Sequence, residues 1–533
     1  MKIISDMRGV AQRIGWIMLL LLMVIPFPIN LSAAGFVRED RGSVLRRLDS
    51  VIHELTVANK VKTKKPAPKV VVVHSDKEVQ ALARVRAVVN AIPRPMRVVI
   101  DVRSNHSDGK HSFADLLKMA RARHIEAIAF TDHDHTGVRY GLDPAIGLSY
   151  TYELRSLYTT GAEKFIADVK QAQASNPDMV VMAGTEDTPG YHWTGLPFSG
   201  DFTLVGSDKH MIALGMENAA QIKGLPSYSL KHMHSNLKFS MAFWVIVVFA
   251  LLLYLMLKRK RGLALLVFAA FIAFMATWMM QIRHEKDPYV DFIDTAHNEG
   301  LFTVWAHPGT HTGFRVEKLG VKVATEPYND AVFNGPHADA FAAVYGDTDG
   351  NCKPGGPWDR YLQQYLNHTK DNPLWGVAAG DFHYQGGFGT YLGDYPMDVW
   401  VKSRTEQGIM AALRLGHNVS WQEPKDRNVR IRALALVDDR GKSILPGQSL
   451  QGSHKLYLAI AADEPFGQGK PMQFTAQVVV DGLVVDRPLV AVDAGKMTVI
   501  PLKIGVGDHV VRVRIPVQQG FRLEANPFFV RMT

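Results

Sequence analysis

Seven histidines and acidic residues sit at the ends of short apolar runs in this 533-residue chain. They are Asp132 and His133 in IEAIAFTDHDH, Glu186 in MVVMAGTE, His210 in DKHMIALG, His307 in LFTVWAHPG, and Asp381 with His383 in WGVAAGDFH. Imidazole nitrogens and carboxylate oxygens are ligands for borderline divalent cations, so the series has the chemistry of a metal centre. The single cysteine, Cys352, excludes an intrachain disulfide framework and a Cys-rich zinc site. Cys352 lies in NCKPGGPW, with no neighbouring pattern that supplies a base, and is left out of the site.

These residues need elements to carry them. In most of the segments a β-rich run ends at the candidate ligand, as when parallel strands deliver side chains to the carboxyl rim of an α/β barrel. Helical patterns such as SFADLLKMARARH and EKFIADVKQAQASN lie between the runs. The alternation favours a barrel over a sandwich for this region.

Composition is that of a folded protein, 47% hydrophobic and 21% charged, and the length implies more than one domain. The net charge of +9 raises the question of nucleic acid. The densest basic cluster, Lys258 to Arg261, lies between two apolar runs and reads instead as a topology signal, which argues against a nucleic-acid partner.

Residues 239–257 and 262–282 carry no charged side chain, and each approaches the roughly 20 residues that a spanning helix needs. The expectation is a transmembrane helical hairpin over 237–283 with its KRKRG loop in the cytoplasm. Residues 1–34, with Lys2, Arg8 and Arg13 ahead of IGWIMLLLLMVIPFPI, read as a signal peptide or N-terminal anchor. Together these place the chain in a cytoplasmic (inner) membrane, with the ligand series and the C-terminus on the periplasmic side. An even number of spans between His210 and His307 keeps both halves of the series in one compartment.

Residues 35–95 read as a helical or mixed lead-in that includes the basic linker KTKKPAPK. The barrel would then occupy 96–236 and 284–424. From 425 to 533 the pattern changes to alternating runs such as VRIRALALV, KLYLAIAA and HVVRVRIPV separated by Gly, Asp and Pro turns. Strand count and spacing predict a β-sandwich of immunoglobulin type as an accessory module.

The segment SNHSDGKHSFADLLKMARARHIEAIAFTDHDH resembles the opening of the PHP superfamily, the polymerase and histidinol phosphatase domains, where an HxH motif precedes SDG and a TDH motif follows. The later pieces match in order: Gly184 to Glu186, His210, Ala306 to Pro308, and Gly380 to His383. One histidine at a strand end is more often a hydrogen-bonded core residue than a ligand; the ordered series gives the resemblance its specificity. It covers roughly residues 97 to 415. The resemblance implies a distorted (β/α)7 barrel with two or three divalent ions, zinc, manganese or iron, that hydrolyses phosphoesters. Carried over by position, Asp108, His133 and His383 would form one metal site, Glu186, His210 and His307 another, and Asp381 would serve a third.

Here the chain departs from the pattern, because Asp101 and Arg103 stand where the HxH histidines belong. Asp101 can still offer a carboxylate oxygen, whereas a guanidinium has no lone pair to give. Either Arg103 fills the third ion's place and clamps a substrate phosphate, leaving a two-metal enzyme, or the site is degraded and the domain only binds. The first is favoured, since every other ligand position is retained. Asp132, beside His133, is expected to orient that imidazole or to act as a general acid. The function expected is metal-assisted hydrolysis of a phosphorylated small molecule or an envelope phosphoester. The alternatives are another metal hydrolase of the amidohydrolase type, or a non-catalytic sensor or scaffold. His106, His111, His135, His192, His311 and His337 match no ligand position and are candidates for the rim, and His232 and His234 precede the hairpin.

Overall fold

The computed structural model describes residues 76–142, 145–195, 200–226, 237–282, 287–316, 320–346, 348–387, 389–423, 429–452, 455–463, 472–492 and 495–533. The expected signal or anchor, the basic linker, His232 and His234 lie outside them.

Seven short strands form the frame of the candidate site: β1 Met96–Val102, β2 Ala127–Phe130, β3 Val180–Asp187, β4 Met211–Leu214, β5 Phe302–Trp305, β6 Ala340–Val344 and β7 Trp375–Ala378. Every residue of each is buried, which is why most of them read as apolar runs in place of alternating ones. Pairing runs β1–β2–β3 in parallel, passes through antiparallel β4, and resumes in parallel along β5–β6–β7. A parallel bridge from Phe382, just beyond β7, to Val102 brings the path back onto β1. Helices cover this frame with their apolar faces: Leu116, Leu117 and Ala120 of α2 (Phe113–Ala122) and Phe165, Ile166 and Val169 of α3 (Ala162–Ser175) join the strands in one core, after a first helix α1 (Asp76–Ala91) that packs elsewhere. Ser112 caps α2 through a reciprocal bond with Asp115, which fixes where the preceding loop ends.

Between β4 and β5 the chain forms two helices, α4 (Leu237–Leu257) and α5 (Arg261–Ile282). Side chains are described for residues 247–271 of this pair, where Phe249, Met256, Leu257, Leu265 and Leu266 are exposed. Among the described residues no helix is long and apolar enough to cross a membrane. The expected transmembrane hairpin is therefore corrected to a helical hairpin, and the placement in a cytoplasmic membrane with periplasmic domains loses its support. A charge-free run announces an apolar helix, but a span also needs about 20 consecutive apolar residues, and the stretches whose side chains are described on either side of the KRKRG turn, residues 247–257 and 262–271, are shorter. Beyond the hairpin, α6 (Pro288–Asn298) and α7 (Pro357–Leu366) pack against β5 to β7 through Phe292, Ile293, Trp358 and Leu362.

Among the described residues the C-terminal strands do not form a separate immunoglobulin-type sandwich, because one of their sheets continues that of β1. β1 pairs on its second edge with β8 (Met397–Val399), and the same sheet continues through β9 (Asn418–Gln422). After a crossing to β10 (Ile431–Asp438) and β11 (Leu456–Ala462), the chain returns to that sheet with β12 (Gln477–Val480), crosses again to β13 (Met497–Leu502), and adds β14 (Gly507–Gln518) and β15 (Phe521–Ala525), with β12 on β14 and β15 against β9. The second layer is the antiparallel set β10–β11–β13. Both layers share a core with Trp421, Val513, Phe521, Leu436 and Leu458, to which α1 adds Val85 and Val89. Alternating patterns identify strands without naming their partners, which is why continuity with the barrel sheet was invisible in the sequence.

Candidate metal centre

One rim of the frame collects the chemistry. Asp101 lies next to the end of β1 and Arg103 follows the strand, His133 follows β2, Glu186 lies near the end of β3, His307 follows β5, and Asp381 and His383 follow β7. His210 precedes its strand, and the antiparallel direction of β4 turns that start to the same rim. Asp108 arrives on the loop after β1. A Cβ at Gly109 would sit 2.6 Å from backbone atoms of Arg103 and Ser104, so the loop closes this tightly only with glycine. Asp101 (φ 68°), His307 (φ 22°) and Asp381 (φ 44°) hold left-handed backbone, a conformation that non-glycine residues keep only where their surroundings impose it.

Among the described residues three groups form, each with ligand atoms within 4.8 Å of one another: Asp108, His133 and His383; Glu186, His210 and His307; and Asp101, Glu186 and Asp381. Glu186 stands between them. Its Oε1 lies 3.2 Å from His210 Nδ1 and 3.1 Å from His307 Nε2, and its Oε2 lies 3.5 Å from His133 Nε2. Asp108 Oδ2 is 3.1 Å from His383 Nε2 and 3.9 Å from His133 Nε2. The side chain of Glu186 is fully buried while those of Asp108 and Asp381 are 35% and 25% exposed, so the floor is dry and the mouth opens at the two aspartates.

The outer nitrogen of each imidazole is fixed. His133 Nδ1 contacts the Glu186 carbonyl at 3.1 Å, His210 Nε2 the Ser207 carbonyl at 3.2 Å, His383 Nδ1 the Asp381 carbonyl at 2.9 Å, and His307 Nδ1 the Thr310 hydroxyl at 2.9 Å. A carbonyl can only accept, so in the first three the outer nitrogen carries a proton, and in the neutral rings of His133 and His210 a lone pair turns inward. His210 Nδ1 then faces Glu186 Oε1 and, at 3.1 Å, His307 Nε2. Such converging acceptors need a cation or an extra proton between them.

Protonation states follow the same lines. Burial, with Arg103 beside it, holds His133 well below its ordinary value, and burial with His307 brings His210 down to about 4, so both are neutral ligands at pH 7. Burial alone would raise Asp108 and Asp381, but the histidines and Arg103 overcome it and hold both well below the usual carboxylate range. His383 goes the other way: burial opposes its charge, yet Asp381 and Asp108 raise it to about 9. The donor set therefore fits divalent cations at both His-containing groups.

The third group is already filled. The guanidinium of Arg103, fully buried, reaches Asp101 Oδ1 at 2.6 Å, Asp381 Oδ1 at 3.2 Å, Thr131 Oγ1 at 3.1 Å, and Glu186 Oε2. With all three carboxylates engaged and no exposed surface, it is not placed to clamp a substrate from solution as the sequence led us to expect. Burial opposes its charge, but Asp101, Asp381 and Asp108 more than compensate and hold the proton more firmly than usual.

Asp132 also departs from expectation. Its carboxylate accepts from Ser104 N and Oγ at 2.9 and 2.8 Å and from Ser107 N and Oγ at 2.9 and 2.7 Å, so it fastens the Asp108 loop while the Glu186 carbonyl orients His133. Sequence reasoning missed Tyr345, whose hydroxyl donates to Asp381 Oδ2 at 2.9 Å. It also missed Thr310, and neither residue belongs to a motif. Of the rim histidines, His106 pairs with Asp168 at 3.0 Å beside α3 and His337 meets Tyr361, so neither touches the centre.

No family model and no curated protein matches this chain. Among solved structures it resembles a two-domain protein containing a predicted PHP-like metal-dependent phosphoesterase from Bacteroides vulgatus, with 12% identity, a TM-score of 0.34, and coverage of 82% of this chain and 96% of that one. A candidate metal-dependent phosphoesterase from Bifidobacterium adolescentis matches with 15% identity and a TM-score of 0.25 over 56% of this chain and 91% of that one. An amidohydrolase from Chromobacterium violaceum with bound sulfate and no metal matches with 14% identity and a TM-score of 0.22 over 55% and 90%.

Proposed function

We propose that this chain is a metal-dependent hydrolase of phosphoesters that works with two divalent cations. The observation that carries this reading is the convergence of inward-facing nitrogens of His133, His210, His307 and His383 on the carboxylates of Asp108 and Glu186. The lone pairs of His133 and His210 face acceptors there, and the arrangement becomes favourable around positive charge. Asp108, His133 and His383 would hold one cation and His210 and His307 the other, with Glu186 between them. Divalent ions bound there would supply an acidified water and would neutralise charge on phosphoryl oxygens.

The chain's own residues do the rest. Arg103 acts as a fixed cation that neutralises Asp101, Glu186 and Asp381, so the third group needs no ion. Asp132 keeps Asp108 at the mouth, and Tyr345 fixes the second oxygen of Asp381. The partly exposed Asp108 and Asp381 leave room for a substrate over a floor that excludes water.

The test is metal analysis of the purified chain followed by hydrolysis of an aryl phosphate with manganese or zinc. Two ions per chain and a turnover abolished by His307→Ala, with folding intact, support the proposal. A chain that binds neither ion sinks it.

A further inference from the structure

Three arginines from the C-terminal strands lie buried against the barrel. Arg512 and Arg514 come from β14 and Arg522 from β15, and each is within 2% of full burial. Arg512 reaches Asp359 Oδ1 at 2.6 Å and the Cys352 carbonyl at 3.0 Å, with its guanidinium 4.5 Å from the Trp358 ring. Arg514 holds Glu524 at 3.0 Å and also contacts Asp349. Arg522 shares Glu524 at 3.3 Å and adds a second set of contacts. Its Nη2 donates to the Ala343 carbonyl at 2.6 Å, and its Nη1 to the Tyr345 carbonyl at 3.2 Å and the Thr348 hydroxyl at 3.3 Å.

Apolar side chains would fill this volume without the desolvation cost of buried guanidinium groups. What a guanidinium adds is direction, several donors in one rigid plane. Here they grip the turn that leaves β6. Thr348 ties the same turn from within, through Ala343 O at 2.9 Å and Tyr345 N at 3.1 Å. The turn presents Tyr345, whose hydroxyl holds Asp381 and whose ring lies 5.7 Å from that of His307. Asp381 in turn contacts Arg103 and, through its carbonyl, His383.

We propose that the C-terminal sheet is a working part of the metal centre, with Arg522 as the positioning residue that sets Tyr345 and through it Asp381 and His383. The inference rests on the metal-hydrolase reading for its effect on turnover, but its effect on cation binding can be measured without a substrate.

The experiment titrates manganese into the full chain by calorimetry for wild type, Arg522→Met, Tyr345→Phe and the double variant, with aryl phosphate turnover measured alongside. Loss of such an outer partner weakens metal affinity or activity by about tenfold or more. Each single variant should therefore bind manganese about tenfold more weakly. The double variant should be no worse than the poorer single, because both cut one line of contacts. The conservative Arg522→Lys should recover part of the loss. Additive losses, or wild-type manganese affinity in folded Arg522→Met, would overturn the proposal. If Arg522→Met does not fold, Thr348→Val frees the same turn without removing a charge, and wild-type affinity there overturns it equally. Absence of turnover in every variant, wild type included, with the manganese pattern intact would count against the hydrolase reading alone.

Discussion

His383 Nε2 lies 3.1 Å from Asp108 Oδ2, while its Nδ1 is committed to the Asp381 carbonyl. Without a cation, a proton on Nε2 satisfies Asp108, and Asp381 and Asp108 overcome burial to raise the imidazole to about 9. A divalent ion must displace that proton. Manganese affinity should therefore climb as pH rises and level off near the raised value of about 9. Asp108→Asn removes one of the raising partners and should move the plateau to lower pH while weakening binding. Calorimetry across pH checks this, and an affinity that falls between pH 6 and 9 would refute it.

The lone pair of His210 faces those of its neighbours, so chelation should leave a repulsive cluster in the core. Ligand-linked stabilisation amounts to about 2.7 kcal/mol at one hundred times the dissociation constant. We expect the thermal midpoint to drop on treatment with a chelator and to return with manganese. In His210→Ala both the drop and the return should shrink, because one converging acceptor is gone. An unchanged response in that variant would mean that the group does not hold the ion.

Arg103 balances three carboxylates in a site with no exposed guanidinium surface. Removing one partner from a buried ionic network typically costs about 3–5 kcal/mol. Arg103→Met should lose stability of that order in urea unfolding, and Arg103→Lys less, since it keeps the charge without the planar fork. A folded Arg103→Met as stable as wild type would show that the carboxylates do not depend on the guanidinium.

Asp132 touches no candidate ligand, yet four donors from Ser104 and Ser107 end on it. Asp132→Ala removes both acceptor oxygens, so all four serine donors lose their partner. Freed in this way, the Asp108 loop should bind its ion about tenfold more weakly. The pair His210 and His307 should be left alone. Two-site manganese titration separates these outcomes, and equal weakening at both sites would point to general unfolding.

The candidate ligands were legible in the sequence because each strand is short, fully buried and ends where its side chain is needed. A strand of that kind leaves a polar residue conspicuous at the end of an apolar run. His210 was legible despite standing at the start of MIAL, since an antiparallel strand offers its beginning to the same rim. Roles set by partners far away in sequence were not legible. Asp132 looks like a neighbour of His133, but its carboxylate finds serines 25 and 28 residues earlier. Tyr345 and Arg522 are 177 positions apart, and only the continuation of the barrel sheet through β8, β9 and β15 brings them together. The same continuity corrected the separate sandwich. Charge-free runs suggested spans because charge is easily counted, whereas what an apolar helix packs against is a property of the folded chain.

At the opposite end of the frame, His297 Nε2 lies 3.0 Å from Asp339 Oδ2, which also accepts from Thr303 N at 2.8 Å. The bond to Asp339 raises His297 above its ordinary 6.5 despite partial burial. Burial pushes Asp339 up, but the bonds from His297 and Thr303 prevail and hold it below 3.8. The signs give a window. The histidine's contribution to stability is complete below 6.5 and is lost as pH rises through its raised value. That of the aspartate is complete above 3.8 and is lost as pH falls through its depressed value. Between those limits both are present. Asp339→Asn should therefore lower the thermal midpoint most near pH 5 and 6, and the gap to wild type should narrow as pH rises past the raised histidine value. A residual gap should persist at high pH because the Thr303 contacts do not depend on the imidazole. Thermal scans of both chains from about pH 5 to 9 decide the matter, since a gap that widened with pH would give His297 the opposite sign.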